Sequence, residues 1–296
     1  MKTTITIALT LFAASVAASA VAQPKATPVE VNIQQVNDRR TSGSFAQLTI
    51  GLELPKISSK DVQASRVLIA AATDDSGRSL IDPEAREPQL DPNFRGSMTG
   101  RDDKTPPPAT VAVTLLNPDR KAKTVKEVRG EIELYMPGKD PNSVAEIPKF
   151  LSASGKPLTH KALKANAIEI ALISPTQLTA ERKRLSDAKR KEYIDGGWQP
   201  GEDLDSMVKS YSESLLTVED SDVLVRIKDP NSRIQDLAYI DAAGETKRIS
   251  TRTDEGFTYL TTWGEKPQPD WKLRVSMKTP KNLVRYSFAL KDVALP

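Results

Sequence analysis

The stretch Lys126-Glu127-Val128-Arg129-Gly130-Glu131-Ile132-Glu133-Leu134-Tyr135-Met136 decides the fold class. Val128, Gly130, Ile132, Leu134 and Met136 recur at every second position, and charged residues fill most of the places between. Successive side chains of an extended chain point to opposite faces, so this pattern specifies a strand with one face on a core and one toward water. Pro137-Gly138-Lys139-Asp140-Pro141 follows at once and is a candidate domain boundary.

Similar runs lie on both sides. Before it, Val29 to Ile33, Phe45 to Leu54 (ended by Pro55), Arg66 to Thr73 and Thr110 to Leu116 read as strands. Asp74-Asp75-Ser76-Gly77 is a turn signal, with Ser79 to Ile81 as a return strand. Residues 82–108 are polar and proline-rich with no period, and read as a long loop. After the boundary, strands are expected at Val144 to Leu151, Ala167 to Ile173, Val223 to Lys228, Ile234 to Asp241, Thr246 to Ile249, Gly256 to Trp263, Trp271 to Lys278 and Leu283 to Val293.

One segment breaks the pattern. Ser174 is a candidate N-cap and Pro175 suits the first helical position, so Thr176 to Ile194 reads as a helix ending at Gly196-Gly197. Its apolar stripe is thin, and Lys183–Asp187 and Asp187–Lys191 are spaced for pairing along it. Leu204, Met207, Val208, Tyr211 and Leu215 have helical spacing, with Glu202, Asp203 and Asp205 at the electropositive start.

The two strand-rich parts echo one another. Asp74…Gly77…Ser79 matches Asp241…Gly244…Thr246, and Val113 to Pro118 resembles Val275 to Pro280, each followed by a long strand ending in proline. Many short strands with frequent turns predict a mainly β protein. The expected arrangement is two immunoglobulin-like β-sandwich domains in tandem, at 23–139 and 140–296, the second with a helical insertion at about 175–215. The 21 prolines suit short strands and turns.

Met1 to Ala22 has the form of a secretory signal peptide. Lys2 supplies the charge, Ile5 to Val16 the apolar stretch, and Ala20-Val21-Ala22 the small-residue site before Gln23, with Ala18-Ser19-Ala20 as a second option. The expected destination is the periplasm or the extracellular space, with no transmembrane span in the mature chain. The absence of cysteine excludes disulfides, thiol nucleophiles, thiolate zinc sites and a lipid-anchored cysteine.

Among chemistry-bearing residues, the single histidine, His160, lies in a turn-like context, and no Gly-x-Ser-x-Gly elbow accompanies it. Asp74-Asp75 lacks the spacing of a helix–loop–helix calcium site and reads as turn capping. With 42 basic and 39 acidic residues, the charge is too balanced to predict a nucleic-acid partner. No cofactor, metal site or catalytic residue is expected. Trp198, flanked by glycines and proline, is the leading candidate for a binding contact, with Tyr211, Arg182 and Arg190 nearby in the helical segment. Trp263 and Trp271 are further aromatic candidates, Trp271 more as core.

The expected function is an exported, non-enzymatic binding, adhesion or scaffold role toward another protein or an envelope glycan. A carboxylate-based hydrolase of envelope or extracellular polysaccharide is one alternative. A chaperone-like module that binds a strand at a sheet edge is another.

Overall fold

The computed structural model describes residues 26–41, 46–91, 106–262 and 264–296. The expected signal peptide, Trp263 and the larger part of the expected loop lie outside the described residues. The described chain is mainly β, built from several separate sheets, with no barrel among the described residues.

The chain opens with β1 (Thr27–Pro28), β2 (Asn32–Arg39), β3 (Gln47–Ser58), β4 (Ala64–Asp74), β5 (Pro108–Leu115) and β6 (Thr124–Tyr135). It continues with β7 (Val144–Pro148), the short helix α1 (Lys161–Ala165), β8 (Glu169–Leu172), α2 (Pro175–Asp195) and α3 (Glu202–Ser214). Then come β9 (Asp222–Lys228), β10 (Ile234–Ile240), β11 (Thr246–Arg248), β12 (Ser250–Asp254), β13 (Phe257–Thr261), β14 (Lys272–Met277) and β15 (Leu283–Ala294).

Two sheets, in the orders β1-β15-β6-β4 and β2-β3-β5, share one apolar core. Leu48, Ile50, Leu52 and Leu54 of β3 meet Val128, Ile132 and Leu134 of β6 and Phe288 and Leu290 of β15. Two further sheets, in the orders β11-β10-β14-β7 and β12-β13-β9-β8, close over a second core of Ile147, Ile170, Val225, Tyr239, Leu260, Trp271 and Leu273. In both, alternate strand residues meet across the layers, as the period-two pattern requires. Trp271 is buried against Tyr239, with ring centroids 6.0 Å apart.

The largest departure from expectation concerns β15. The sequence places it at the end of the second sandwich, but it pairs antiparallel with β6, Leu283 opposite Tyr135 and Ala294 opposite Thr124. The sandwiches are therefore not consecutive, because β7 to β14 lie between two neighbouring strands of the first. The physical reason is length. β6 and β15 are both 12 residues long, whereas β14, the strand just before β15, has six and is already flanked by β10 and β7. The echo is corrected in the same way. Its turns correspond, but β4 pairs with β6 whereas β10 pairs with β14, so the two halves are wired differently.

Smaller differences have local causes. Val29 lies outside the strands, with its N–H donating to the Ser287 carbonyl, and β2 begins only at Asn32. Pro55 does not end β3. It falls where the β3–β5 register is irregular, which tolerates its missing donor. Ser79 makes a single bridge to Thr73 rather than a strand. The polar edge strand β12, exposed along most of its length, gives no apolar alternation, so its sequence carries no strand signal.

The second sandwich leaves and rejoins the first side by side. The Met136 N–H donates to the Asn282 carbonyl at 2.8 Å. The crossing is held by buried polar groups. Thr279 Oγ1 donates to Asp140 Oδ2 at 2.7 Å, the Thr279 N–H to Asn282 Oδ1 at 2.7 Å, and Asn282 Nδ2 to the Met277 carbonyl at 2.8 Å. Such fully partnered networks hold one geometry, because each unmade bond would leave a buried polar group unsatisfied.

Candidate functional site

The helices α2 and α3 form a hairpin inserted between β8 and β9. Ser174 accepts from the Gln177 N–H at 3.2 Å, and Gln177 Oε1 accepts from the Ser174 N–H at 3.0 Å. This capping box, with Pro175 in the first turn, fixes where α2 starts. At the other end Gly196 is the C-cap and Gly197 turns at φ +96°, a conformation that favours glycine. The Trp198 N–H then donates to the Tyr193 carbonyl at 3.0 Å, which anchors the loop at the tip.

The hairpin lies on the outer face of the sheet containing β9 and β13. Leu178, Leu185 and Tyr211 pack with Leu216, Leu224, Phe257 and Tyr259 in a third apolar cluster. No residue of α2 is fully buried, as its thin stripe implies, so polar fasteners complete the attachment. Arg182 donates from Nε to the Leu215 carbonyl at 3.1 Å and from Nη2 to the Leu216 carbonyl at 2.8 Å, just beyond the end of α3. Arg190 binds Asp205 across the hairpin at 2.6 Å. Glu181 lies between Arg184 and Arg226, whose guanidinium groups hold its carboxyl below the usual range.

These contacts divide the four candidate binding residues. Arg182 and Arg190 are taken up in holding the hairpin together. Tyr211 is partly buried, its hydroxyl donating to Glu255 at 3.3 Å, and burial pushes its ionisation up. Only Trp198 is free to meet a partner, at 45% exposed. Its ring lies 6.3 Å from that of Tyr193, with Ile194 beside it at 40% exposed. The Lys189 ammonium, bound to Glu192 at 2.8 Å, lies 5.2 Å from the Tyr193 ring and 6.0 Å from that of Tyr211. Lys189, Tyr193 and Ile194 were not singled out from the sequence. The available signal was their place in the last turns of a helix whose following loop carries an exposed tryptophan.

The remaining candidates have structural roles. His160 is the N-cap of α1, its Nδ1 accepting from the Ala162 N–H at 3.1 Å. Asp74 Oδ1 accepts from the N–H groups of Ser76 and Arg78, and its Oδ2 from that of Asp119. Burial alone would push its carboxyl up, but these bonds outweigh it and bring it below the ordinary value. The carboxyls of Asp140, Glu146 and Asp241 are also held low, first of all by an N–H of Asn142, by Arg274 and by an N–H of Glu245. Among the described residues no group of three or more histidine, cysteine or carboxylate side chains could hold a metal, and no helix is long and apolar enough to cross a membrane. No family model, curated protein or solved structure matches the chain.

Proposed function

We propose that this chain is an exported, non-enzymatic binding or scaffold protein of the cell envelope or extracellular space, which meets a protein partner through the tip of its helical hairpin. One observation carries the reading. Ile194 and Trp198, at this tip, are two of the three exposed large hydrophobic side chains among the described residues. Adjacent exposed apolar groups on a firmly held element suit recognition, since an aromatic anchor gains affinity when it is buried and little ordering is needed. The signal-like segment Met1 to Ala22 supports export. The sheet orders support an immunoglobulin-like reading of the sandwiches, the second standing between the last two strands of the first.

The test compares the mature protein with Trp198→Ala and Ile194→Ser, using a photo-crosslinker at position 195 on envelope extract. Both substitutions are expected to abolish a specific crosslinked band while leaving the unfolding free energy within about 0.5 kcal/mol of the parent, as exposed sites do. A crosslinking pattern indifferent to both would overturn the assignment. Export is checked separately by sequencing the amino terminus of the mature chain, expected to begin at Gln23.

A further inference from the structure

The strand β12 forms one edge of the second sandwich and has a neighbour on one side only, β13. The two make a tight β-hairpin. Glu255 at φ +48° and Gly256 at φ +78° supply its two-residue turn, with Asp254 opposite Phe257. The ladder then runs without a shift through Thr253–Thr258 and Arg252–Tyr259 to Ser250–Thr261. Among the described residues no backbone hydrogen bond joins Ser250–Asp254 to anything except β13, so the outward N–H and C=O groups of a regular strand are open. Several other edges are interrupted. β4 is bridged by Ser79 and Asp91, β8 is bridged by Pro157, β15 is flanked by β1, and β2 carries a bulge between Ile33 and Gln35.

The side chains of β12 are complementary to themselves. Alternation puts Arg252 and Asp254 on one face and Thr251 and Thr253 on the other. The Arg252 guanidinium lies 4.1 Å from the centre of the Tyr259 ring, a contact that holds the cation in place beside the open edge. Among the described residues neither Arg252 nor Asp254 makes an ion pair or a side-chain hydrogen bond. One strand thus carries an unpaired cation and an unpaired anion, two positions apart on the same face.

We propose that β12 pairs antiparallel with β12 of a second copy of this chain, about a two-fold axis through Thr253. In that register each Arg252 stands opposite Asp254 of the other copy, and Thr253 meets its own counterpart. Facing residues in such a pair have Cβ atoms about 4.5–5.5 Å apart, within reach of an ion pair. The same charges reject the neighbouring register, since an axis through Arg252 would set the two guanidinium groups against each other. Pairing about Thr253 joins two four-stranded sheets into one and uses the same surface on both copies, so the assembly closes as a dimer. The contact is short and its ion pairs are exposed, so the dissociation constant is on the order of 0.1 mM and chains at low micromolar concentration are single. The inference rests on this edge and is independent of the reading of the helical hairpin.

The test is sedimentation equilibrium of the mature chain, from Gln23 onward. A dimer is expected to form reversibly with concentration and to weaken with added salt. Arg252→Asp alone and Asp254→Arg alone each set like charges across the axis, and each should raise the dissociation constant at least about tenfold. An equal mixture of the two variants should recover dimers, because each copy then supplies the charge that the other lacks. Hydrogen exchange in the parent, compared at about 1 mM and about 0.01 mM on either side of the dissociation constant, should slow in Ser250–Asp254 and stay unchanged in the edge strand β2. That comparison decides the matter should a variant fail to fold. A parent that stays monomeric at the higher concentration, single variants that associate as the parent does, or a mixture of folded variants that stays monomeric would each overturn the proposal. So would protection that grows with concentration in β2 and not in β12.

Discussion

Glu133 lies 1% exposed between two guanidinium groups, Arg66 Nε at 2.9 Å and Arg285 Nε at 2.7 Å, from the strands on either side of β6. Glu133→Ala removes the one buried carboxylate that both arginines share, leaving them their more exposed partners Glu87 and Glu131, so it should lower stability by about 3 kcal/mol in denaturant titration. Gly130, on the same strand, works by absence of a side chain, since a Cβ there would collide with the Leu68 carbonyl. Gly130→Ala should therefore cost about 1–3 kcal/mol by overpacking, although alanine is usually the better residue in regular structure. The sequence marked Gly130 only as one position of an apolar face. Its cause is a bulge in β4 between Ile69 and Ala71, which lies far away in sequence. Asp74 and Asp140 give the acid response. Both carboxyls are held below their unfolded values, so their contribution is complete above about pH 4 and is lost as pH falls through the folded values. Urea midpoints should decline from about pH 4 downward, and Asp74→Asn with Asp140→Asn should flatten that decline.

At the scale of the element, the hairpin shows what was legible and what was not. Its boundaries followed from local chemistry, since Ser174, Pro175 and Gly196 are a cap, a first-turn residue and a stop wherever they fold. Ser174→Ala should lower stability by about 1 kcal/mol. The roles of its arginines were not legible. Arg182 reads as a charge on a solvated helix, but it satisfies carbonyls 33 and 34 residues away, a partnership set by how α3 returns. Arg182→Ala should cost about 2 kcal/mol, since bonds from a charged donor are stronger than neutral ones. Hydrogen exchange should show the loss concentrated in α3 and the Leu215–Leu216 segment. A uniform loss over the second sandwich would contradict the fastening role. The exposure of Trp198 was legible because its glycine and proline neighbours leave it no regular element to pack into.

For the whole molecule, alternation revealed nearly every strand but not which strands are neighbours. Pairing depends on matched length and on what remains unpaired after other sheets have formed, and neither is written in a short window. The order of the chain therefore suggested two successive units, whereas one interrupts the other. The expected consequence is mechanical. With both crossings bound through Asp140, Thr279 and Asn282, the two sandwiches should keep one relative orientation. Because the chain lacks cysteine, a cysteine at Lys56 and one at Thr253 give a unique pair of spin-label sites. A single narrow distance distribution is expected, broadened by Thr279→Ala with Asn282→Ala. A broad distribution in the parent would show the crossing to be a hinge.

The pairing of Tyr135 with Leu283 has a further meaning. Two antiparallel strands ending opposite each other are what a tight turn ordinarily joins, and here an entire sandwich stands where that turn would be. The second sandwich is a cassette. Replacing residues 136–282 by Asn-Gly, the dipeptide suited to a two-residue hairpin, should yield a small protein that keeps its own core apart from Met136, and the same gap should accept an unrelated domain whose ends lie equally close.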